Sequence, residues 1–367
     1  MPLSDINPDA YDQLLEEKAR AVCALLAPYR PPAPRIFPSR PSGYRMRAEF
    51  RIWHDGDNLD YVMFPRHNRA SPVPITHFPV ACERIQALMP TLINALKAEN
   101  TLRRKLFQVE FLSTLAGDTL VSLIYHRRLD DSWQEAAEKL AGRLDISIVG
   151  RSRKQKVVIG RDYVLEQLQI AGEAFSYRQY EQAFTQPNGR LNIRMIEWAC
   201  EQAVPLQGDL LELYCGNGNF TLPLSRQFRQ VIATELSKTS IRAARENILA
   251  NGLDNINMIR LSAEEVTQAM NGEREFRRLA ELPKLLQDYD LRTLFVDPPR
   301  AGLDEATASM AMRFPAILYI SCNPHTLAAN LDQLCLTHAI ESFALFDQFP
   351  YTDHMECGVL LRKRSAE

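Results

Sequence analysis

Near the start of the chain, Leu14, Leu15, Ala21, Val22 and Leu25 recur at helical spacing, which predicts an amphipathic helix over residues 9–28. Pro31-Pro32-Ala33-Pro34 ends it, because proline lacks a backbone donor and clashes with the preceding turn. From Tyr44 to Trp53 the period shortens to two, and Arg45, Arg47 and Arg51 fall on the same side of a strand. Asp55-Gly56-Asp57 reads as a turn and residues 59–64 as the return strand. Residues 82–96 follow as a helix. Strands over 106–113 and 119–126 meet at Gly117-Asp118. A helix over 133–140 precedes strands over 146–149 and 157–159 about a basic turn. Strands grouped this way with a few helices give an α+β pattern.

Past Gly189 the rhythm changes to regular alternation. A helix over 191–201 leads to an apolar strand over 210–214 that runs into Cys215-Gly216-Asn217-Gly218-Asn219. Strands over 230–235, 256–260, 292–296 and 317–321 then alternate with helices over 240–251, 263–270 and 326–334, and 357–361 is a last short strand. Such alternation predicts an α/β fold, a doubly wound parallel sheet covered on both faces. The charged stretch 273–290 reads as a solvated helix. Three segments result: an N-terminal helix and Pro-rich linker (1–40), an α+β domain (41–185) and the α/β domain (186–367).

Composition narrows the class. With 367 residues, 46% hydrophobic, 24% charged and 15 Gly, the chain is globular and longer than one core usually supports. The net charge of −2 excludes a protein coated in positive charge. It is nevertheless an average: residues 41–160 hold 18 Lys and Arg against 13 Asp and Glu, and residues 201–367 hold 16 against 22. Asp5 and Asp9 without an apolar run argue against a signal peptide, and no apolar stretch of about 18 residues predicts a membrane span. Seven scattered cysteines with no Cys-x-x-Cys argue against a disulfide framework, a zinc site or an iron–sulfur cluster, so a cytoplasmic protein without metal is expected.

Four constellations carry candidate chemistry. A strand entering a Gly-rich turn at Tyr214–Asn219, with Glu235 at the tip of the next strand, suits an adenosine-containing cofactor: glycines admit close approach and the carboxylate accepts from ribose hydroxyls. Thr221 stands where a dinucleotide fingerprint wants Gly or Ala, which disfavours NAD. Asp297-Pro298-Pro299-Arg300 follows another strand, where two prolines aim Asp297 into the crevice at the strand C-termini. Ser321-Cys322-Asn323-Pro324 puts a cysteine before a helix start, a place that lowers thiol pKa. Glu356 opens the last strand, within reach of the same crevice as a general base. Taken singly, the glycine turn is more often structural, Cys322 more often a core cysteine and Glu356 more often a surface residue.

In this order the motifs Glu-Leu-Tyr-Cys-Gly-x-Gly, Asp-Pro-Pro-Arg and Ser-Cys-Asn-Pro resemble the RNA uridine-C5 methyltransferases over nearly the whole length. The resemblance implies a C-terminal class I S-adenosylmethionine-dependent methyltransferase domain, Rossmann-like, beside an N-terminal RNA-binding domain. It implies S-adenosyl-L-methionine as cofactor, held by Gln186, Tyr214, Asn219, Glu235 and Asp297, with Cys322 as nucleophile and Glu356 as base. Asp297 could also hold the uracil N3–H; the resemblance favours the cofactor side. The implied substrate is the T-loop uridine at position 54 of tRNA, with T-loop-like RNAs such as tmRNA beside it, and the protein is expected to act as a monomer.

An RNA substrate gives the basic residues of the first domain a use. Besides Arg45, Arg47 and Arg51 they are Arg66, Arg69, Arg103, Arg104, Lys105, Arg127, Arg128, Arg151, Arg153, Lys154 and Lys156. Phe107 and His126 sit among them and could stack on splayed bases, or equally serve as a core aromatic and a satisfied histidine. Arg300 is a candidate for phosphate or base contact. Two other readings stay open. Asp-Pro-Pro resembles the motif of amino-group methyltransferases, whose chemistry needs no cysteine, and a tRNA-binding chaperone needs no catalysis.

Overall fold

The structure is a computed structural model that describes residues 6–56, 58–64 and 71–365. The chain divides into two compact units, one formed by residues 40–167 and 178–189 with the first residues of the chain, the other by 9–39, 168–177 and 190–367. Of the expected N-terminal helix and Pro-rich linker (1–40), residues 9–39 therefore group with the C-terminal unit. Its helix α1 (Tyr11–Leu26) buries Ala19, Val22 and Leu26 at helical spacing in that unit's core, and β1 (Arg35–Phe37) pairs with a strand from the far end of the chain. Asp5, Asp57, Arg66 and Arg69, named in the sequence expectations, lie outside the described residues.

The first unit is built on a seven-stranded sheet. Its strands are β2 (Arg47–Asp55), β3 (Asn58–Met63), β4 (Val73–Pro74), β5 (Leu106–Ser113), β6 (Thr119–Tyr125), β7 (Ser147–Ser152) and β8 (Gln155–Ile159). They are ordered β4-β3-β2-β5-β6-β7-β8, and only β6 and β7 run parallel. Helices α2 (Glu83–Ala98), α3 (Asn100–Arg103) and α4 (Asp131–Leu144) accompany it. Ala48, Phe50 and Ile52 of β2 point into the core while Glu49, Arg51 and Trp53 point out, as the alternation predicts. A hairpin of β9 (Tyr163–Ile170) and β10 (Glu173–Tyr180), absent from the sequence reading, joins the two units.

The second unit carries the doubly wound sheet. After α5 (Gly189–Ala203) come β11 (Asp209–Leu213), α6 (Thr221–Leu224), β12 (Val231–Thr234), α7 (Lys238–Ala250), β13 (Ile256–Ile259) and α8 (Ala263–Met270). Then follow β14 (Leu291–Val296), α9 (Glu305–Ala311), β15 (Ala316–Ser321), α10 (Pro324–Leu334), β16 (His338–Phe346) and β17 (Glu356–Lys363). The order is β1-β16-β17-β15-β14-β11-β12-β13, parallel except for β17, which runs antiparallel to both neighbours. That reversal brings the start of β17 to the same sheet edge as the ends of β11, β12, β14 and β15.

Residues 273–290 do not form the expected helix. Two short 3-10 turns, Arg277–Glu281 and Leu286–Asp288, flank Pro283, and Leu282 and Tyr289 are buried in the core. Phe276, Leu279 and Leu286 pack against the same core, so apolar anchors at irregular spacing override the charged composition. Among the described residues no helix is long and apolar enough to cross a membrane.

Candidate active site

The carboxyl edge of the second sheet gathers the motifs. Register decides which residues meet. Ser321 of β15 pairs with Cys357 of β17, so one step further along the ladder Cys322 and Glu356 stand as neighbours. Val296 pairs with both Leu213 and Tyr319, and the next residues, Asp297 and Tyr214, lie at adjacent tips. Thr234 pairs with Leu213, which puts Glu235 beside the glycine turn. Four of the five residues expected to hold the methyl donor thus share one edge with Cys322 and Glu356. Gln186 is the exception, since it belongs to the first unit.

Side-chain and backbone bonds hold this edge together. Asn330 of α10 accepts from Leu303 N (2.9 Å) and Tyr319 Oη (2.8 Å) and donates to Leu303 O (2.9 Å), so the turn after Asp297 is stapled onto the helix after Cys322. Asn323 Nδ2 donates to Arg300 O (3.2 Å), a second tie between the two turns. Asn330 escaped sequence reasoning because a mid-helix asparagine carries no signal of its own.

The glycine turn fits an adenosine cofactor. Gly216 has φ of +57°, and nothing lies within 4 Å of the place its Cβ would take, so the backbone there is open to a ligand. Gly218, at φ of +88°, is required for a different reason: a Cβ would come within 2.5 Å of Leu222 Cδ1. Tyr214 itself holds a left-handed φ of +61°, strain of the kind that collects at functional turns. Glu235 accepts from Gly216 N (3.1 Å), Leu236 N (2.7 Å) and Ser237 N (2.7 Å). A carboxylate offers roughly four acceptor positions, so capacity remains for a ribose hydroxyl. Asn219 and Asn192 exchange amide hydrogen bonds of 2.8 and 2.9 Å, which fixes the far side of the turn.

Electrostatics correct one expectation. Burial pushes the Cys322 thiol up from its ordinary 9.0 to about 11, and Glu356 and Asp297 push the same way against the opposing pull of Arg300. The helix N-terminus at Asn323 does not lower it. A helix terminus contributes about 0.3–1 kcal/mol, less than one pKa unit, and burial beside two carboxyl groups outweighs that. Glu356, far from being a surface residue, is 4% exposed; burial holds it well above the carboxylate range, with Asp297 adding to the rise. Burial also lifts Asp297 to about 7. A third carboxyl, Glu212, opens the Glu-Leu-Tyr-Cys-Gly-x-Gly motif. It is buried in β11, burial raises it to about 8, and its Oε2 has no hydrogen-bond partner. The signal was present: a lone Glu inside the apolar run Leu210–Leu213.

In the first unit the expected basic face is partly committed to structure. Arg45 donates to Arg47 O (2.8 Å), Arg47 to Ala183 O (3.1 Å) and Glu181 O, and Arg127 to Thr101 O, Arg104 O and Arg128 O. Arg151 is paired with buried Glu181 at 2.5 Å. The geometric reason is the segment 181–183, whose carbonyls need donors that Arg47 supplies. Arg51, Arg104, Lys105, Arg128, Arg153 and Lys154 remain exposed. The Arg51 guanidinium lies 3.8 Å from the Phe107 ring centroid, and the His126 ring stacks on Phe107 at 4.0 Å with His126 exposed. Beside this stack a cavity of about 700 Å³ is lined by Tyr125, His126, Arg127, Arg128, Ser152, Arg153, Lys154 and Gln155. Exposed Trp53, on the same face as Arg51, and Phe184, 71% exposed, were not singled out by sequence reasoning. A large aromatic in the polar row of an alternating strand would have found the first.

The family profile described as tRNA (Uracil-5-)-methyltransferase matches residues 10–364. A tRNA/tmRNA (uracil-C(5))-methyltransferase of Dickeya chrysanthemi (strain Ech1591) is 54% identical over 361 residues, covering 97% of this chain and 98% of that protein. One of Vibrio vulnificus (strain YJ016) is 51% identical over 370 residues, covering both chains in full. Among solved structures, the Pyrococcus abyssi tRNA (uracil-54, C5)-methyltransferase in complex with S-adenosyl-L-homocysteine superposes with a TM-score of 0.73. It covers 96% of this chain and 83% of that one at 22% identity, a likeness of fold.

Proposed function

Because the chain belongs to the tRNA (uracil-5-)-methyltransferase family, we propose that it forms 5-methyluridine at T-loop position 54 of tRNA, and at the matching uridine of tmRNA. The observation that carries this reading is the ladder register that sets Cys322 beside Glu356 at the tip of β15, next to the glycine turn. An amino-group methyltransferase has no use for that pair. S-adenosyl-L-methionine, which Tyr214, Asn219, Glu235 and Asp297 would hold, would supply an electrophilic methyl group and leave as S-adenosyl-L-homocysteine; Gln186 is assigned to the donor on the resemblance alone.

Uracil C5 is a weak nucleophile. The Cys322 thiolate adds to C6, and the C5–C6 electron pair moves onto C5 and the C4 carbonyl, which makes C5 reactive. Once C5 carries the methyl group, Glu356 removes the C5 proton, the electron pair re-forms the double bond, and the S–C6 bond breaks. Burial favours the neutral forms of Cys322 and Glu356 in the free protein, and positive charge brought into the pocket favours the ionised ones. A target base inside a folded loop must be turned out of its stack to be reached. Arg51, Arg128, Arg153 and Lys154 suit RNA phosphates, and the open face of His126 suits a displaced base. We read the protein as a cytoplasmic monomer.

Labelled S-adenosylmethionine and unmodified tRNA or tmRNA, digested to nucleosides after incubation, test the reading. We expect 5-methyluridine at the T-loop position, none with Cys322→Ala, and a covalent adduct at Cys322 with 5-fluorouracil-containing RNA. Absence of 5-methyluridine from the unaltered protein overturns it.

A further inference from the structure

The N-terminal helix has no part in the scheme above, yet it lies against the segment that delivers Glu356. Lys18 of α1 is 12% exposed and donates to Asp347, which is 1% exposed, and to Phe349 O (3.1 Å). Asp347 follows Phe346, and Phe346 is the ladder partner of Glu356. The ion pair therefore fixes the residue next to the neighbour of Glu356. Other bonds act on the same spot. Asp347 N donates to Phe37 O (3.1 Å), and the Phe37 ring stacks on Phe346 at 4.7 Å. Further along the connection, Tyr11 meets Tyr351 edge to face at 6.1 Å, and Tyr351 holds a left-handed φ of +62°. At its other end the segment reaches the nucleophile's helix: Tyr29 Oη donates to Ala328 O and Asp332 Oδ1 of α10, both at 2.8 Å.

Residues 9–39 thus hold both sides of the Cys322–Glu356 pair, one through α10 and the other through the β16–β17 connection. A lysine buried against a carboxylate is a costly device where only packing is needed, because an apolar pair of similar shape often does as well. What the ion pair adds is a fixed position, reached across more than three hundred residues of chain. We infer that Lys18, through Asp347, is a positioning residue that sets the Glu356 carboxyl against the C5 proton. The inference rests on the reading of Glu356 as the base.

The test separates the two halves of the reaction. With normal tRNA at saturation, Lys18→Met should slow turnover to the methylated product about tenfold or more, while the KM for RNA stays within about twofold. Enzyme–RNA adduct should accumulate, because the C5 proton leaves slowly once the methyl group is on. Adduct formation with 5-fluorouracil-containing RNA, which needs Cys322 but no proton removal, should match the unaltered protein. Asp347→Asn keeps the side-chain shape and a weaker hydrogen bond, and should show the same partition to a smaller degree, which guards against loss of fold in the first variant. Equal loss of adduct and product in both variants means a purely structural role and overturns the inference, as does a product-to-adduct ratio like that of the unaltered protein. If the unaltered protein makes neither 5-methyluridine nor the fluorouracil adduct, it is the reading of the site that fails.

Discussion

One buried carboxyl of the first unit and a buried cluster at the strand edge of the second are treated in opposite ways, whereas Asp209 and Asp347 elsewhere in the second unit are paired with Arg229 and Lys18. In the first, Glu181 is 4% exposed and fully matched: Arg151 gives it two hydrogen bonds of 2.6 and 2.5 Å, and Ser122 a third of 2.9 Å. In the second, Glu212 and Glu356 are as deeply buried without a cation bonded to them, and Asp297 sits among them. A matched acid ties strands together. An unmatched one is held near or above neutrality and is ready to exchange a proton. With Glu356 as the proposed base, the same side chain is a fastening in one place and a reagent in the other.

Glu356→Gln breaks the reagent side hardest. The amide keeps the shape but takes no proton, so product release should fall on the order of 10²–10⁴-fold. Adduct with normal tRNA should persist on denaturing gels, and the unfolding temperature should not drop. A variant that turns over normally would mean that another group removes the C5 proton. Arg151→Met breaks the fastening side instead. It leaves the buried Glu181 carboxylate with Ser122 and the more distant Lys156 (3.9 Å) alone, a change that costs at most about 3–5 kcal/mol, the figure for breaking a buried pair. Urea unfolding should register that loss, while fluorouracil trapping in the surviving folded fraction stays intact.

How far this contrast was legible follows from particular residues. Strand-tip motifs placed Cys322, Asp297, Glu235 and Tyr214 at one edge, because a doubly wound sheet puts strand C-termini there. Glu356 was placed at the same crevice as well, but without the route by which it gets there, the reversal of β17, which depends on β16, a strand the sequence reading lacked. That strand is hard to see because its ladder slips between Ile340 and Ser342 and spoils the alternation. The β9 strand was hidden otherwise: its inward row is Val164, Glu166, Leu168 and Ile170, so an acid interrupts the apolar pattern. Glu166 is tolerated there because Leu115, Ala116 and Gln167 amides donate to it. Partners distant in sequence also decided which arginines stayed free, since Arg47 and Arg151 are claimed by residues 181–183.

Glu212→Gln sharpens the comparison through pH. Folding raises this carboxyl from 4.5 to about 8, so the folded protein binds a proton that the unfolded chain has released across that window. Stability from this group is therefore greatest below about pH 4.5 and falls as pH rises toward 8. The glutamine variant should gain on the unaltered protein over the same interval, by on the order of 5 kcal/mol above pH 8. Thermal unfolding at pH 5 and pH 8.5 measures it; equal shifts at both would mean that Glu212 is not held neutral.

The smallest effect is expected where charge faces water. Arg153 and Lys154 are exposed in the turn between β7 and β8, at the rim of the basic cavity, and Lys154 holds a left-handed φ of +59° that keeps this turn tight. Neither has a buried acid to satisfy, so Arg153→Gln and Lys154→Gln should leave stability within about 0.5 kcal/mol. If they meet RNA phosphates, each should weaken RNA binding only a fewfold and flatten the dependence of log K on log salt by about 0.7–0.9 per charge removed. The fluorouracil trapping rate at saturating RNA should not change. An unaltered salt slope would take these two residues off the RNA path and leave the task to Arg51, Arg128 and the Phe107–His126 stack. A loss of stability would instead place them with Arg151, as fastenings.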